Sequence, residues 1–226
     1  MKKVLALLVS VVLLLAMIPM GAVSVSAASS SEEIKSQLDI LIGKYPAGSQ
    51  HSYQSCWYFV QMLSKSIFGN SIPPQASNHY QLKDIASYNY QQIGNTLTCS
   101  SGNLSESTLK SLFLSSQSGD VIQMDYTKKS GVDSLHVMMV YSVSSTGVVF
   151  YHAGSPKDSD GDGIKETKGK VWFGASNGSD PLYGTTGKEL TWSQLKSYLY
   201  KSDDGLSVYR STKSVGNGTP NYASTN

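Results

Sequence analysis

Cys56 stands where a cysteine side chain is chemically useful. It follows the loop-like segment YPAGSQHSYQS (45–55) and opens CWYFVQMLSKSIFGN (56–70), where apolar residues recur at helical spacing. The dipole and unpaired N–H groups at a helix N-terminus favour the thiolate, which is the nucleophilic form of cysteine. The same N–H groups can receive the oxyanion that forms when a carbonyl is attacked. The position therefore predicts a nucleophile for acyl chemistry.

A cysteine nucleophile needs a histidine base, and the base needs an orienting partner. His51 and His79 lie in loop-like segments without an evident partner, whereas His136 opens LHVMMVYSV (135–143) and His152 closes GVVFYHA (147–153). These two segments are typical of an antiparallel hairpin, which would bring His136 and His152 together at one end of a sheet. Either histidine alone is more often a hydrogen-bonded structural residue. Together with a helix-start cysteine, the pair predicts a catalytic site.

An acidic loop follows directly after this hairpin. In DSDGDGIKE (158–166), the side chains of Asp158, Asp160, Asp162 and Glu166 match positions 1, 3, 5 and 9 of an EF-hand-type loop, and Gly163 matches position 6. Position 12 departs from the pattern, because Gly169 stands where a glutamate is expected. The spacing predicts a structural Ca²⁺ site that stiffens the hairpin end near His152. An ordinary solvated Asp/Gly turn is the alternative.

Three helices and a strand meander are expected to position these residues. Helices are predicted in 30–45, beginning at a Ser30–Glu33 capping box, in 56–70, and in 104–117 with Ser105 as the N-cap. Residues 71–102 are polar and are predicted to be irregular. Short β-branched and aromatic segments then alternate with turns, and a further short helix is predicted to begin at Thr191. Helices first and antiparallel strands afterwards indicate an α+β fold.

The N-terminus is typical of a secretory signal peptide. Lys2 and Lys3 precede an apolar run, and Val25-Ser26-Ala27 provides small residues at a cleavage site, so residues 1–27 are expected to be removed. Removal takes away two of the 18 basic residues and none of the 16 acidic ones, which leaves a net charge of about zero. This balance predicts no nucleic-acid partner. We expect an extracellular domain over 28–211 and a mobile tail over 212–226, without a membrane span.

The chain has two cysteines, Cys56 and Cys99. In an exported protein a pair is a disulfide by default. A Cys56–Cys99 bridge would make this a non-catalytic, calcium-binding domain. Two free thiols would fit catalysis.

The segments SGDVIQMDY, LHVMMVYSV and VVFYHAG together resemble the NlpC/P60 family of bacterial cell-wall cysteine peptidases and, more loosely, the CHAP amidases. The resemblance implies a papain-like domain in which N-terminal helices pack on a small antiparallel sheet. It assigns the nucleophile to Cys56, the general base to His136 and the orienting role to His152. Gly119-Asp120 falls on the first strand, and Gln50 has the papain-type spacing for an oxyanion donor, with Tyr53 and Gln54 as rivals.

This resemblance implies a secreted hydrolase that cleaves amide bonds, with peptidoglycan stem peptides as the expected substrate. An acyl-transferring enzyme with the same three residues is the other catalytic reading. The sequence departs from the family around the cysteine, because Ser55-Cys56-Trp57-Tyr58 replaces the usual Asp-Cys-Ser-Gly. The substrate is the part of the prediction that this departure affects most.

Overall fold

Serine and threonine caps begin the helices where the sequence predicts them. The computed structural model describes residues 29–51, 55–127, 133–154, 169–178 and 180–216. The helices are α1 (Ser31–Lys44), α2 (Cys56–Phe68), α3 (Glu106–Leu114) and α4 (Trp192–Lys196), with a 3-10 turn at Ile85–Tyr88. Ser105 and Thr191 form full capping boxes. At the start of α1 the structure shows one of the two bonds of such a box, in which Ser30 Oγ accepts from the Glu33 N–H at 3.1 Å.

The strands within the described residues form one antiparallel sheet. They are β1 (Gln50–His51), β2 (Tyr90–Thr98), β3 (Val121–Thr127), β4 (Asp133–Val143), β5 (Gly147–Ala153), β6 (Gly169–Phe173), β7 (Leu190–Thr191) and β8 (Gly205–Ser211). Their order is β1-β6-β5-β4-β3-β8-β2, and β7 pairs with the first two residues of β5, Gly147 and Val148. The predicted α+β class is confirmed, with a larger sheet than the sequence indicated.

Side-chain alternation gives the sheet two buried faces. Odd-numbered residues of the central strands, such as Val137 and Tyr151, pack against α1 and α2. Even-numbered residues, such as Met138 and Phe150, pack against α3, α4 and the segment before α4. Cys56 belongs to the first of these layers, whereas His136 and His152 have the even numbering of the second.

The prediction of an irregular stretch over 71–102 is wrong for its second half. Strand β2 runs from Tyr90 to Thr98 and pairs with β8. Its register shifts between Ile93 and Leu97, and Gly94 lies in that interval with a φ of +63°. The irregularity breaks the alternation of apolar and polar residues by which a strand is recognised in a sequence.

The Gly119-Asp120 pair packs the start of β3 against α1 and bonds it to β8. Gly119 has a φ of +86°, and an added Cβ would lie 2.6 Å from a methyl carbon of Ile34 on α1. Asp120 is 1% exposed and accepts two hydrogen bonds from Arg210 of β8, at 2.9 and 2.8 Å. This part of the family-like pattern therefore has a structural role.

The first residues of the predicted tail contact the domain. The Thr212 N–H donates to the Asn89 carbonyl at 2.8 Å, the Val215 N–H to Ser29 Oγ at 2.6 Å, and the Gly216 N–H to the Ile67 carbonyl at 3.0 Å. Residues 217–226 lie outside the described residues, as do residues 1–28. No helix among the described residues has the length and apolar character needed to cross a membrane.

Candidate active site

Cys56 is the first residue of α2, as the sequence predicts. Ser55 caps the helix, with its Oγ accepting from the Tyr58 N–H at 3.4 Å. The first turn contains no acidic residue, so the positive end of the helix dipole is not neutralised locally. The side chain of Cys56 is half-buried and its thiol is free.

The thiol reaches the sheet where β4 and β5 separate. The register between these strands runs from Val143–Val148 to Met139–Tyr151. The Val140 N–H donates to the Asp120 carbonyl on the β3 side, so the Val137 N–H, three residues earlier, points towards β5. There it is close enough to the Cys56 sulfur to lower the pKa of the thiol. The sulfur therefore contacts the residue that follows His136.

Burial has a larger effect on the thiol than the helix start has. It raises the pKa of Cys56 above its ordinary value, outweighing the hydrogen bonds from the backbone of Val137, Trp57 and Cys56 itself, which lower it. The sequence-based expectation that the start of the helix lowers the pKa of Cys56 is right in direction, but it leaves out the larger increase that burial causes. A thiolate here needs a nearby group that takes the proton.

His136 and His152 form the predicted pair. His136 Nε2 lies 2.9 Å from His152 Nδ1, and the ring centroids are 4.7 Å apart at an interplanar angle of 86°. Continuing the β4–β5 register would place the two residues diagonally across the hairpin. Both are buried, with 4% and 0% of their surfaces exposed. The hairpin inference from the sequence is confirmed.

The hydrogen bonds of this pair determine which nitrogen carries each proton. His152 Nε2 lies 3.0 Å from the Leu182 carbonyl, which only accepts, so the nitrogen must carry a hydrogen. Neutral His152 then has its lone pair on Nδ1 and accepts from His136 Nε2–H. A neutral His136 consequently carries its basic lone pair on Nδ1. This is the arrangement that a general base requires.

Complete burial keeps His152 neutral. It lowers the pKa of this histidine from 6.5 to about 4, against the opposing effect of the Leu182 carbonyl. An imidazole that stays neutral holds one tautomer over the whole physiological range. His152 therefore suits an orienting role better than an acid–base role.

This pKa predicts acid-sensitive folding. Between pH 6.5 and 4 the unfolded chain binds a proton at His152 and the folded chain does not, so the free energy of unfolding falls as the pH is lowered. The loss is roughly 1 kcal/mol per pH unit in that window and levels off below it. His152→Asn is expected to reduce this slope, measured by urea unfolding at pH 7, 6, 5 and 4. Equal slopes for both proteins would show that His152 is protonated in the fold.

Aromatic side chains enclose the pair. The Tyr183 ring lies 6.2 Å from the ring of His136 and 5.9 Å from that of His152, and its hydroxyl is 3.0 Å from the Tyr126 hydroxyl. Tyr126 also meets His136 edge-on at 6.4 Å, and Trp172 packs on Tyr183 at 5.4 Å. Sequence reasoning missed these residues because buried tyrosines are common in β-rich cores.

The remaining predicted site residues lie apart or outside the described part. Gln50 is exposed on β1, opposite Lys170 of β6, and its oxyanion role stays a prediction. Tyr53, Gln54 and the calcium ligands Asp158, Asp160, Asp162 and Glu166 lie outside the described residues. Elsewhere in the described ranges no group of three or more His, Cys, Asp or Glu side chains is arranged to hold a metal ion.

His79 has a partner that the sequence did not reveal. Its Nδ1 lies 3.7 Å from Asp125 Oδ2, and 55% of the His79 side chain is exposed. The residue adopts a positive φ of 64° in the segment that precedes β2. This contact is separate from the His136–His152 bond.

Cys99 and Cys56 are both free and pack in different layers. Cys56 lies against the cluster of α1 and α2, whereas Cys99 lies against the cluster of α3 and α4. The disulfide that would define a non-catalytic domain is absent from the structure.

A cavity of about 240 Å³ lies beside the start of α2. Its walls are uncharged and include two flat aromatic rings and a proline; the lining residues are Trp57, Gln61, Ser71, Ile72, Pro74 and Tyr88. The Trp57 indole N–H donates to Gln61 Oε1 at 3.2 Å, which fixes both side chains. Trp57, the residue after Cys56 in the chain, lines the cavity, whereas Cys56 itself does not.

Comparison with known proteins finds no match: no protein-family model, no curated protein and no solved structure matches this chain.

Proposed function

We propose that this chain is a secreted cysteine hydrolase that cleaves amide bonds, built on a papain-like domain of the NlpC/P60 type. One observation carries the proposal. The His136–His152 hydrogen bond of 2.9 Å is completed by the Leu182 carbonyl, and the backbone of Val137, the residue after His136, lies beside the Cys56 sulfur and lowers its pKa. These contacts support the proposal that Cys56 acts as the nucleophile, that His136 is the base with a defined tautomer, and that buried His152 orients it.

The first half of the reaction forms an acyl-enzyme. His136 Nδ1 takes the thiol proton of Cys56, and the sulfur attacks the carbonyl carbon of the substrate amide. The oxygen of the resulting tetrahedral intermediate is stabilised by N–H groups of the first turn of α2, where no acidic side chain competes. The C–N bond then breaks, and the imidazolium of His136 gives its proton to the leaving amine.

The second half releases the acid. Water enters, His136 Nδ1 takes one of its protons, and the oxygen attacks the thioester carbon. Collapse of this intermediate breaks the C–S bond and returns the proton to sulfur. His152 stays neutral throughout, because its burial disfavours a second positive charge beside His136.

Peptidoglycan stem peptides are the proposed substrate class, on the strength of the resemblance of the three β segments. The residues that line the cavity beside Trp57 also restrict which part of a substrate could bind there. Its uncharged lining suits an uncharged group of the substrate, since an ion would lose its hydration there without gaining a partner.

A charge placed in the cavity is expected to weaken substrate binding. Ser71→Asp should raise KM about tenfold and leave kcat nearly unchanged, because the cavity binds substrate and transition state alike. Ser111→Asp, the same change on the exposed surface of α3, is the matched control. Unchanged kinetics in Ser71→Asp would exclude the cavity from substrate binding.

Mass analysis of peptidoglycan fragments tests the function itself. Purified cell walls are incubated with the wild-type protein and with Cys56→Ala, and the soluble fragments are compared. New fragments whose masses sum to that of an intact stem peptide plus one water, with one new amine and one new carboxyl group, are expected only with the wild type. Identical fragment profiles from the two proteins would rule out a Cys56-dependent hydrolase of peptidoglycan.

A further inference from the structure

The geometry points to Tyr198 as a positioning residue: we propose that its hydroxyl, held by Asp180, keeps the Leu182 backbone where its carbonyl fixes the tautomer of the two histidines. The inference rests on the proposed function for its catalytic consequence. Its structural part, the tautomer of His152, stands on the hydrogen bonds alone.

Tyr198 reaches Leu182 from the residues that follow α4. The Leu182 N–H donates to the Tyr198 hydroxyl oxygen at 2.9 Å, and the Tyr198 hydroxyl donates to Asp180 Oδ1. Burial and the neighbouring Asp180 carboxylate raise the pKa of Tyr198, so its proton stays on the hydroxyl. Tyr198 is 4% exposed and its ring meets Tyr126 edge-on at 5.4 Å.

The other side of the Leu182 residue faces the histidines. Its carbonyl accepts from His152 Nε2 at 3.0 Å, and His152 Nδ1 in turn accepts from His136 Nε2 at 2.9 Å. Leu182 therefore links two sets of contacts: its N–H is held by the Tyr198 hydroxyl and, at 3.3 Å, by Asp180 Oδ1, and its carbonyl holds His152. Because an N–H only donates and a carbonyl only accepts, the direction of each bond that Leu182 makes is determined.

The segment that contains Leu182 is also held by backbone hydrogen bonds that involve neither Tyr198 nor the histidines. The Ser176 N–H donates to the Pro181 carbonyl at 2.8 Å, and the Gly184 N–H to the Gly174 carbonyl at 2.9 Å. An added Cβ on Gly184 would lie 2.1 Å from the Ala175 carbonyl oxygen. These bonds keep the segment folded when one hydroxyl is lost, so Tyr198→Phe is expected to displace the Leu182 backbone locally without unfolding the segment.

Tyr198→Phe is the test variant, and Tyr209→Phe is its matched control. The Tyr209 hydroxyl also accepts a buried backbone N–H, that of Leu82 at 2.9 Å, but it lies on the other face of the sheet. Both variants lose one tyrosine hydroxyl bonded to a backbone amide, so their effects on stability should be similar. Only Tyr198→Phe removes a contact that leads to His152.

Nitrogen-15 NMR of histidine-labelled protein reads the tautomer directly. The wild type and Tyr209→Phe are expected to give a protonated-nitrogen signal for Nε2 and an unprotonated-nitrogen signal for Nδ1 of His152. Tyr198→Phe is expected to give averaged signals, together with a roughly tenfold lower kcat at unchanged KM. His152 signals and kcat that match the wild type in Tyr198→Phe would overturn the proposal.

The two readouts separate this inference from the proposed function. If the tautomer changes in Tyr198→Phe while the wild type has no Cys56-dependent hydrolase activity, the positioning role of Tyr198 is supported and the proposed function fails. If activity is confirmed and neither signal nor kcat responds to Tyr198→Phe, the positioning role fails alone.

Discussion

Cys56→Ala is expected to lower the release of peptidoglycan fragments by about a thousandfold or more, to the level of the uncatalysed background. Without the sulfur, no acyl-enzyme forms, because His136 serves only to transfer protons and His152 is completely buried. The change removes one atom from a half-buried side chain, so the fold should be retained.

Cys99→Ala is the control for this experiment. Cys99 is likewise half-buried and free, but it packs in the other layer of the domain. Its replacement should leave the rate within about twofold of the wild type. Substantial activity in Cys56→Ala, or a comparable loss in Cys99→Ala, would remove Cys56 from the role of nucleophile.

His136→Ala is expected to have an effect of similar size. Desolvation raises the pKa of this half-buried thiol, so almost no nucleophile forms at neutral pH unless His136 takes the proton. The variant also leaves His152 Nδ1 without its 2.9 Å partner, which costs about 1–3 kcal/mol of stability. The protein should therefore remain folded, as checked by circular dichroism, while hydrolysis is lost.

A comparison with His152→Ala separates the base from its orienting partner. His152 does not exchange protons with the substrate, so its removal should leave a measurable residual rate, above that of His136→Ala. Equal and complete losses in both variants would indicate that the two histidines act as one unit. Full activity in His136→Ala would contradict its role as the base.

The features of this site that depend only on neighbouring residues in the chain were predictable from the sequence. Cys56 at a helix start and two histidines at the ends of one hairpin follow from turn residues, helical spacing and β-branched segments. The structure confirms α2 from Cys56 and the hairpin of β4 and β5. These elements form from neighbouring residues, and so their signals lie within short windows.

The supporting contacts were not predictable, for two physical reasons. Leu182 acts through its backbone carbonyl, and a carbonyl leaves no trace in the residue type. Tyr198 and Tyr183 look like ordinary core residues, because only the tertiary fold shows where their hydroxyls lie. The raised pKa of Cys56 was missed for a related reason, since burial depends on packing that no single helix determines.

The rate of alkylation of Cys56 by iodoacetamide tests the central claim most directly, because it needs no knowledge of the substrate. Peptide mass analysis gives separate rates for Cys56 and Cys99 between pH 5 and 9, in the wild type and in His136→Ala. We predict that Cys56 reacts at least about tenfold faster than Cys99 near pH 7, and that this advantage disappears in His136→Ala. Equal rates for the two cysteines in the wild type, or an advantage that persists without His136, would contradict a Cys56–His136 catalytic pair.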